Sequence, residues 1–216
     1  IVDSECIRQC PNIESVYYGA SVARIRHLTF NGGYGKNFAK VEVSPNNPNF
    51  SDKGNCIVDL RTKTLVLATP TTVIPDDGSV KIIGDMAFAP ACYWLGSIVI
   101  PEGVKVIDFG AFMECSRLES VVFPDSLEII DDNVFSNCPN LKKVELGANL
   151  KALSQDFLIS THIKKIDYKG TVEQWQSIII FGASMTYEII DGDRYVVFGS
   201  NLVPLKCIEV HCSDGV

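Results

Sequence analysis

Apolar side chains recur along most of the chain at an interval of about 23 residues. One column of equivalent positions is aromatic, a second is cysteine, and a third is leucine or isoleucine. The columns contain Phe88, Phe112, Phe135 and Phe157; Cys92, Cys115 and Cys138; and Leu95, Leu118, Leu141 and Ile163. A period of this length predicts a solenoid, in which each repeat forms one coil and buries its apolar side chains by stacking on its neighbours. Val2 falls in the middle of a coil, so we expect the chain or a capping segment to begin earlier.

Each coil contains a Leu-x-x-Val-x-Phe/Ile stretch, as at residues 118–123. Its alternation predicts a short parallel strand with side chains pointing alternately into and out of the core. The less regular stretch around Ala111 and Phe112 predicts a short helical turn on the opposite side of the coil. The predicted fold is therefore an α/β leucine-rich-repeat solenoid, with strands on the concave face and irregular or short helical arcs on the convex face.

Two segments interrupt the period. Residues 44–73 hold two strand-like runs around Arg61-Thr-Lys63, which predict a β-hairpin that extends the sheet as an irregular coil. Residues 169–216 contain a second predicted hairpin around Asp191-Gly192 and a last strand. We expect residues 1–168 to form the solenoid, with the hairpin insertion at 44–73, and residues 169–216 to form a β-rich cap of the same domain.

The pattern Ile-x-x-x-Ala-Phe-x-x-Cys-x-x-Leu-x-x-Val-x-Ile-Pro, represented by residues 107–124, resembles the BspA-like (treponemal-type) leucine-rich repeats of bacterial surface proteins. Residues 49–67, 168–175 and 211–215 also resemble segments that accompany these repeats. The resemblance implies a secreted or cell-surface protein, adhesion to proteins or other bacteria in some members, and no catalytic residues. Residues 157–163 lack the Ala-Phe-x-x-Cys signature and residues 36–38 include an insertion, so we expect distorted coils there.

Composition and charge exclude some classes of function. The formal net charge is -7 and no long basic run occurs, which disfavours binding to nucleic acid or anionic lipid. No apolar run approaches the roughly 18–20 residues that cross a bilayer, and the first residues do not have the charge pattern of a signal peptide. Nothing in the sequence calls for a cofactor.

The cysteine column invites a disulfide or a metal site. We expect Cys10, Cys92, Cys115 and Cys138 to be reduced and buried, because stacked strands hold equivalent residues about 4.8 Å apart. A one-dimensional column also lacks the tetrahedral convergence that zinc requires. The remaining cysteines lie outside the column and their pairing stays open: Cys6, Cys56, Cys207 and Cys212.

The sequence contains no catalytic constellation. His27, His162 and His211 fall in different coils or in the cap, without a nucleophile or carboxylate at a motif spacing. His211 adjoins Cys212, but neighbouring residues of a strand point to opposite faces. The glycine-rich residues 32–35 lack the strand, lysine and helix of a phosphate loop, which indicates an inter-coil turn. We therefore expect a protein that is not an enzyme.

The outward strand positions form the surface with the clearest positional logic. Val99 and Val122 are predicted to be exposed neighbours, flanked by charged residues, which suggests a contact site for a protein or a glycan. The predicted ligand-binding residues are Tyr17, Lys40, Glu42, Val99, Val122, Lys143, Glu145, Lys165 and Asp167. Two alternatives stay open: the valines simply favour strands, or the chain is a rigid spacer without a ligand of its own. Trp175 could stack on a sugar but is more typical of a core anchor.

Overall fold

Most of the chain forms short strands joined by turns. The structure is a computed structural model that describes residues 7–8, 12–25, 30–31, 38–89, 91–158, 161–163, 165–181, 185–190, 193–198 and 209–215. The strands are β1 (Ile7–Arg8), β2 (Ser15–Tyr18), β3 (Phe30–Asn31), β4 (Lys40–Val43), β5 (Phe50–Ser51), β6 (Cys56–Asp59), β7 (Thr64–Ala68), β8 (Ile82–Ile83), β9 (Ser97–Val99), β10 (Val106–Ile107), β11 (Ser120–Val122), β12 (Ile129–Ile130), β13 (Lys143–Leu146), β14 (Ala152–Ser154), β15 (Lys165–Tyr168), β16 (Ile179–Phe181), β17 (Met185–Ile190), β18 (Asp193–Phe198) and β19 (Glu209–His211). A 3-10 helix, η1 (Gln155–Leu158), and one α-helix, α1 (Val172–Ser177), complete the described elements.

Two sheets run along the solenoid, because each central coil contributes one strand to each of them. The eight-stranded sheet has the order β16-β14-β12-β10-β8-β7-β6-β5, and the five-stranded sheet has the order β19-β15-β13-β11-β9. Strands from successive coils pair in parallel, as in the register of Val121 with Val144 in one sheet and of Ile107 with Ile130 in the other. The backbone hydrogen bonds thus join coil to coil along both sides.

The core lies between the two sheets and follows the columns of the repeat. Phe112 stacks between Phe88 and Phe135, with ring centroids 4.7 and 5.8 Å away. Leu118 and Leu141 are fully buried in the same cluster. The periodicity therefore predicted the stacking of the coils correctly, and the described residues of the three columns pack into one continuous hydrophobic core.

The predicted helical arcs are not confirmed. In the described part of the chain, the stretch around Ala111 and Phe112 consists of hydrogen-bonded turns, and only the coil with Phe157 has a 3-10 helix. The residues just before each arc instead form the two-residue strands of the eight-stranded sheet, such as Val106–Ile107. An α-helix does not form in the arc, because alternate amides donate to the next coil instead of along the arc: the Phe112 amide, for example, donates to the Val134 carbonyl at 3.1 Å.

Both irregular segments join the sheets of the solenoid. The predicted insertion hairpin is confirmed as the antiparallel pair β6 and β7, and β7 then pairs in parallel with β8. In the tail, β17 and β18 pair antiparallel with each other, whereas β16 pairs in parallel with β14 and β19 pairs in parallel with β15. Helix α1 begins with a capping box, in which the Thr171 hydroxyl accepts from the Gln174 amide. The tail therefore adds one more strand to each of the two sheets of the solenoid.

The first coils form a separate sheet and a separate core cluster. Strands β2 and β4 pair in parallel with each other, and Tyr18, Phe38 and Val41 are buried beneath them. The insertion stands at the edge of this sheet: the Val41 amide donates to Asn55 Oδ1 at 3.1 Å and the Val43 amide to Asp52 Oδ2 at 2.8 Å. The amides on this edge of β4 thus donate to side chains instead of to another strand.

Candidate functional site

The predicted contact residues lie on the outward side of two different sheets. We call the outward side chains of β9, β11, β13 and β15 the outer face. Pairing brings one row of it together in the order Val99, Val122, Glu145 and Asp167. The second row includes Ser97, Ser120, Lys143 and Lys165.

The three remaining predicted residues lie on the sheet formed by β2 and β4. Tyr17 is opposite Glu42 there, and Lys40 is opposite Ser15. Because the insertion separates this sheet from β9, the structure does not bring Tyr17, Lys40 and Glu42 into the hydrogen-bonded outer face. The sequence pattern missed this division because the same column spacing holds on both sides of the insertion.

The outer face is apolar at one end and charged at the other. Val99 is 70% exposed, and its neighbour Val122 is half-buried. The valines lie on β9 and β11, whereas Glu145 and Asp167 occupy the same row on β13 and β15. A partner would therefore meet an apolar patch bordered by ion pairs.

The charges of the outer face neutralise one another within each strand. The Lys143 ammonium pairs with Glu145, and the Lys165 ammonium lies 3.0 Å from Asp167 Oδ1. The pKa of Lys143 is raised, because Glu145 accepts its hydrogen bond and attracts its positive charge. Exposed pairs of this kind contribute little to stability. Their main effect is that this end of the face presents both signs of charge and little net charge.

The eight-stranded sheet has an outward row of apolar residues that the sequence pattern did not predict. On the eight-stranded sheet the outward positions are apolar in consecutive coils: Ile82, Val106, Ile129, Ala152 and Ile179. Ile179 is 66% exposed and Ile129 is 37% exposed. Two-residue strands have no alternation for a pattern to detect, so this row could be found only after the neighbouring strands were placed.

Beside this row, one carboxylate joins three coils. Glu128 lies between Lys105 and Lys151, with each ammonium 2.7 Å from one of its carboxylate oxygens. These two hydrogen bonds lower the pKa of Glu128 to about 2.

A cleft of about 790 Å³ adjoins the free side of β9. Its walls include residues 72–76 on one side and residues 94–99 on the other. Trp94 stands at its rim and packs edge-on against Tyr93, and the Arg117 guanidinium lies over both rings at 5.3 and 5.6 Å from their centroids. A volume of this size is in the usual range of ligand pockets.

The prediction of a fully reduced cysteine column is wrong for two of its members. Cys92 and Cys115 form a disulfide, with Cα atoms 4.1 Å apart. The column lies in the turns before each strand, so the spacing of paired strands does not hold these residues apart. The spacing of about 4.8 Å used in the prediction is a distance between the backbones of paired strands. Since Cα atoms about 4.4–6.8 Å apart are common in disulfides, that spacing does not prevent a bridge.

The other described column cysteine is a buried thiol. Cys138 Sγ lies 3.1 Å from the Phe112 carbonyl and donates to it, and burial raises the pKa of this thiol to about 12. Cys56 is likewise a free buried thiol with a pKa raised to about 12 by burial. Cys6, Cys10 and Cys207 lie outside the described residues.

None of the described free thiols has the lowered pKa of an activated nucleophile. Burial raises the pKa of the Cys212 thiol, and Asp214 raises it further, whereas a reactive cysteine needs a lowered pKa. His162 faces a backbone carbonyl, that of Pro139, at 2.9 Å. Among the described residues no three or more His, Cys, Asp or Glu side chains are grouped to hold a metal ion. His27 and the glycine-rich residues 32–35 lie outside the described part.

Trp175 packs inward from α1. Its ring lies 5.4 Å from that of Tyr168 and packs against the main core, as expected for an anchor. In the described part of the chain, no helix is both long and apolar enough to cross a membrane.

These features define a solenoid whose central coils each contribute one strand to each of two sheets. Residues 69–188 match the BspA type leucine rich repeat region in six copies. The chain belongs to this family of leucine-rich repeats. No curated protein sequence matches it.

Three solved structures are similar to this chain at low sequence identity. The pneumococcal vaccine antigen PcpA is 17% identical, with a TM-score of 0.59 over 83% of this chain and 58% of PcpA. A leucine-rich repeat protein from Eubacterium ventriosum is 17% identical, with a TM-score of 0.48 over 84% of this chain and 63% of that one. A leucine rich cell surface protein from Faecalibacterium prausnitzii is 18% identical, with a TM-score of 0.49 over 80% and 52%. This chain therefore spans less than two thirds of the length of these proteins.

Proposed function

We propose that the chain is a non-enzymatic binding module of a secreted or surface-displayed protein, and that it engages a protein partner through the outer face. The observation that carries the proposal is the in-register pair of Val99 and Val122, bordered by the ion-paired charges of β13 and β15. Exposed apolar patches with polar borders are typical of protein contact sites.

The composition of the outer face favours a protein over a glycan. Its eight outward positions are serine, valine, lysine, glutamate and aspartate, and none is an aromatic ring on which a sugar could stack. Trp175, the aromatic residue that the sequence offered for this role, packs against Tyr168 instead. A glycan ligand is thus the alternative that the experiment must separate.

Three observations support a non-enzymatic role outside the cell. Burial raises the pKa of each described free thiol, in Cys56, Cys138 and Cys212, whereas a reactive cysteine needs a lowered pKa. The Cys92–Cys115 disulfide fits an oxidising compartment, since disulfides are rare in the cytosol. The family and the name of one similar structure, a pneumococcal vaccine antigen, support the same proposal.

The test is a binding screen of the oxidised chain against host-matrix proteins and a glycan array. The double variant Val99→Glu with Val122→Glu should weaken capture of the protein ligand by about 30-fold or more, because it places two charges at the centre of the contact. The matched control is Ile129→Glu with Ile179→Glu, which changes two exposed apolar residues on the other sheet.

The outcomes separate the candidates. Unchanged binding in the Val99 and Val122 variant, with loss in the control variant, would move the site to the eight-stranded sheet. Binding restricted to glycans would contradict the protein proposal. Failure to bind any member of either panel would favour a rigid spacer, which the parallel pairing of the central coils also fits.

A further inference from the structure

Within the described part of the chain, one edge of the five-stranded sheet has unpaired backbone groups. On β9, the Gly96 carbonyl accepts from the Glu119 amide at 2.7 Å, and the Ile100 amide donates to the Val122 carbonyl at 2.9 Å. Successive residues of a strand direct their backbone groups to opposite edges. The amides and carbonyls of Ser97 and Val99 therefore point away from β11, toward the cleft of about 790 Å³.

The preceding coil leaves this edge open. Residues 72–76 form no strand and line the far side of the cleft from β9, and the Val73 amide donates to the Gly54 carbonyl at 2.9 Å. Pro70 precedes this segment and Pro75 lies within it, and neither has an amide hydrogen to offer. The cleft lies where a further strand of the sheet would run.

The fold closes a comparable edge elsewhere. At β4, the side chains of Asn55 and Asp52 accept the hydrogen bonds of the edge amides. Proteins commonly protect exposed edges with such side chains, with lysines or with prolines. The strand residues of β9, Ser-Ile-Val, include no charged residue, whereas β13 and β15 each begin with a lysine.

We propose that an extended peptide segment of a partner protein adds as a strand to the free edge of β9 and fills this cleft. Val73 and Val99 both line the cleft and are 71% and 70% exposed. Because every second side chain of an added strand would face these valines, alternate residues of the peptide are apolar and β-branched. Asp76, also in the lining, makes no hydrogen bond or ion pair within the described part of the chain, whereas Asp77 pairs with Lys53 at 2.5 Å. A lysine or arginine of the peptide neutralises Asp76.

The edge favours a peptide over a glycan. Alternating amides and carbonyls match the backbone of an extended polypeptide, which is the basis of strand addition. The Arg117 guanidinium covers one side of Trp94, the aromatic ring in the lining of the cleft, and one side of its neighbour Tyr93. This site is distinct from the outer face, because it uses backbone groups at the sheet edge.

The probe is a displayed library of random eight-residue peptides, selected on the oxidised chain and counter-selected on Ser97→Pro. This substitution removes an edge amide while leaving the hydrogen bonds of Gly96 and Ile100 to β11. Selected peptides should alternate β-branched residues with polar ones and include a basic residue. Synthetic copies should bind Ser97→Pro at least about tenfold more weakly, as should copies N-methylated on alternate amides, while Ser97→Ala binds normally.

A second readout does not depend on the proline variant. With valine labelled by ¹⁵N, bound peptide should slow hydrogen exchange of the Val99 amide and leave that of Val122 unchanged. Absence of enrichment over Ser97→Pro, or unchanged exchange at Val99, would overturn the proposal. If Val122→Glu loses peptide binding while Ser97→Pro still binds normally, the peptide binds to the outer face, and the proposal of strand addition is overturned. Binding of glycans alone, lost in Trp94→Ala, would do the same.

Discussion

Replacing Phe112 by alanine removes the central ring of the aromatic column. Phe112 is fully buried, and its ring stacks at 4.7 Å on Phe88 and at 5.8 Å on Phe135. The neighbouring coils are tied to each other through two sheets, so they cannot move together to fill the space. The substitution therefore leaves a cavity between coils.

The expected cost lies in the upper part of the range for such substitutions. Phe→Ala in a core costs about 3–5 kcal/mol, and two aromatic neighbours place Phe112 near about 4–5 kcal/mol. Since domains have a free energy of unfolding of about 5–15 kcal/mol, the loss is a large fraction of the total. At about 2–4 °C per kcal/mol, the melting temperature should fall by about 8–20 °C.

Urea unfolding of the oxidised chain, followed by circular dichroism, measures the effect. Phe109→Ala is the matched control, because Phe109 belongs to the same coil but is 41% exposed, and we expect it to cost less than about 1 kcal/mol. Phe112→Leu, which keeps most of the volume, should cost about 1–2 kcal/mol. If Phe112→Ala costs no more than Phe109→Ala, the stacked column does not hold the coils together. A lower m-value would instead indicate that coils unfold in separate steps.

Three further substitutions test other parts of the fold. Serine at both Cys92 and Cys115 should lower the free energy of unfolding by about 3 kcal/mol, the loop entropy for a separation of 23 residues, and the variant should no longer respond to a reducing agent in urea unfolding. Gly147→Ala should cost more than about 1 kcal/mol in melting experiments, because its Cβ would lie 2.1 Å from a carbonyl oxygen of the preceding coil, while Gly96→Ala, with no atom within 4 Å, should be tolerated. Because the pKa of Glu128 is lowered in the folded chain, its ionised carboxylate stabilises the fold above the ordinary pKa of 4.5, and this contribution should be lost as the pH falls toward 2. In Glu128→Gln, the free energy of unfolding should therefore depend less on pH between about 4.5 and 2. An unchanged pH profile would contradict the role of its two lysines.

The sequence predicted the features that repeat. The columns of Phe112 and Leu118 located the core, and the alternation around Val121 located the five-stranded sheet, because side-chain period and strand geometry are linked. The insertion hairpin followed from strand-like runs around turn residues, and the family followed from the spacing of the residue types that recur in each coil.

Features that depend on pairing between coils were missed. Two-residue strands such as Val106–Ile107 are too short for a pattern, and they become strands only through hydrogen bonds to the coils on each side. The Cys92–Cys115 disulfide depends on how closely two turns approach, which spacing along the chain does not specify.

The candidate sites divide in the same way. By itself the sequence determined which residues point outward from each strand, since alternation depends only on local backbone geometry. Tertiary structure decided which of them share a surface: the insertion separates Tyr17 and Glu42 from the outer face and leaves the edge of β9 open to the cleft. Edges, clefts and cross-coil contacts are set by which strands pair, and that pairing is a property of the folded chain.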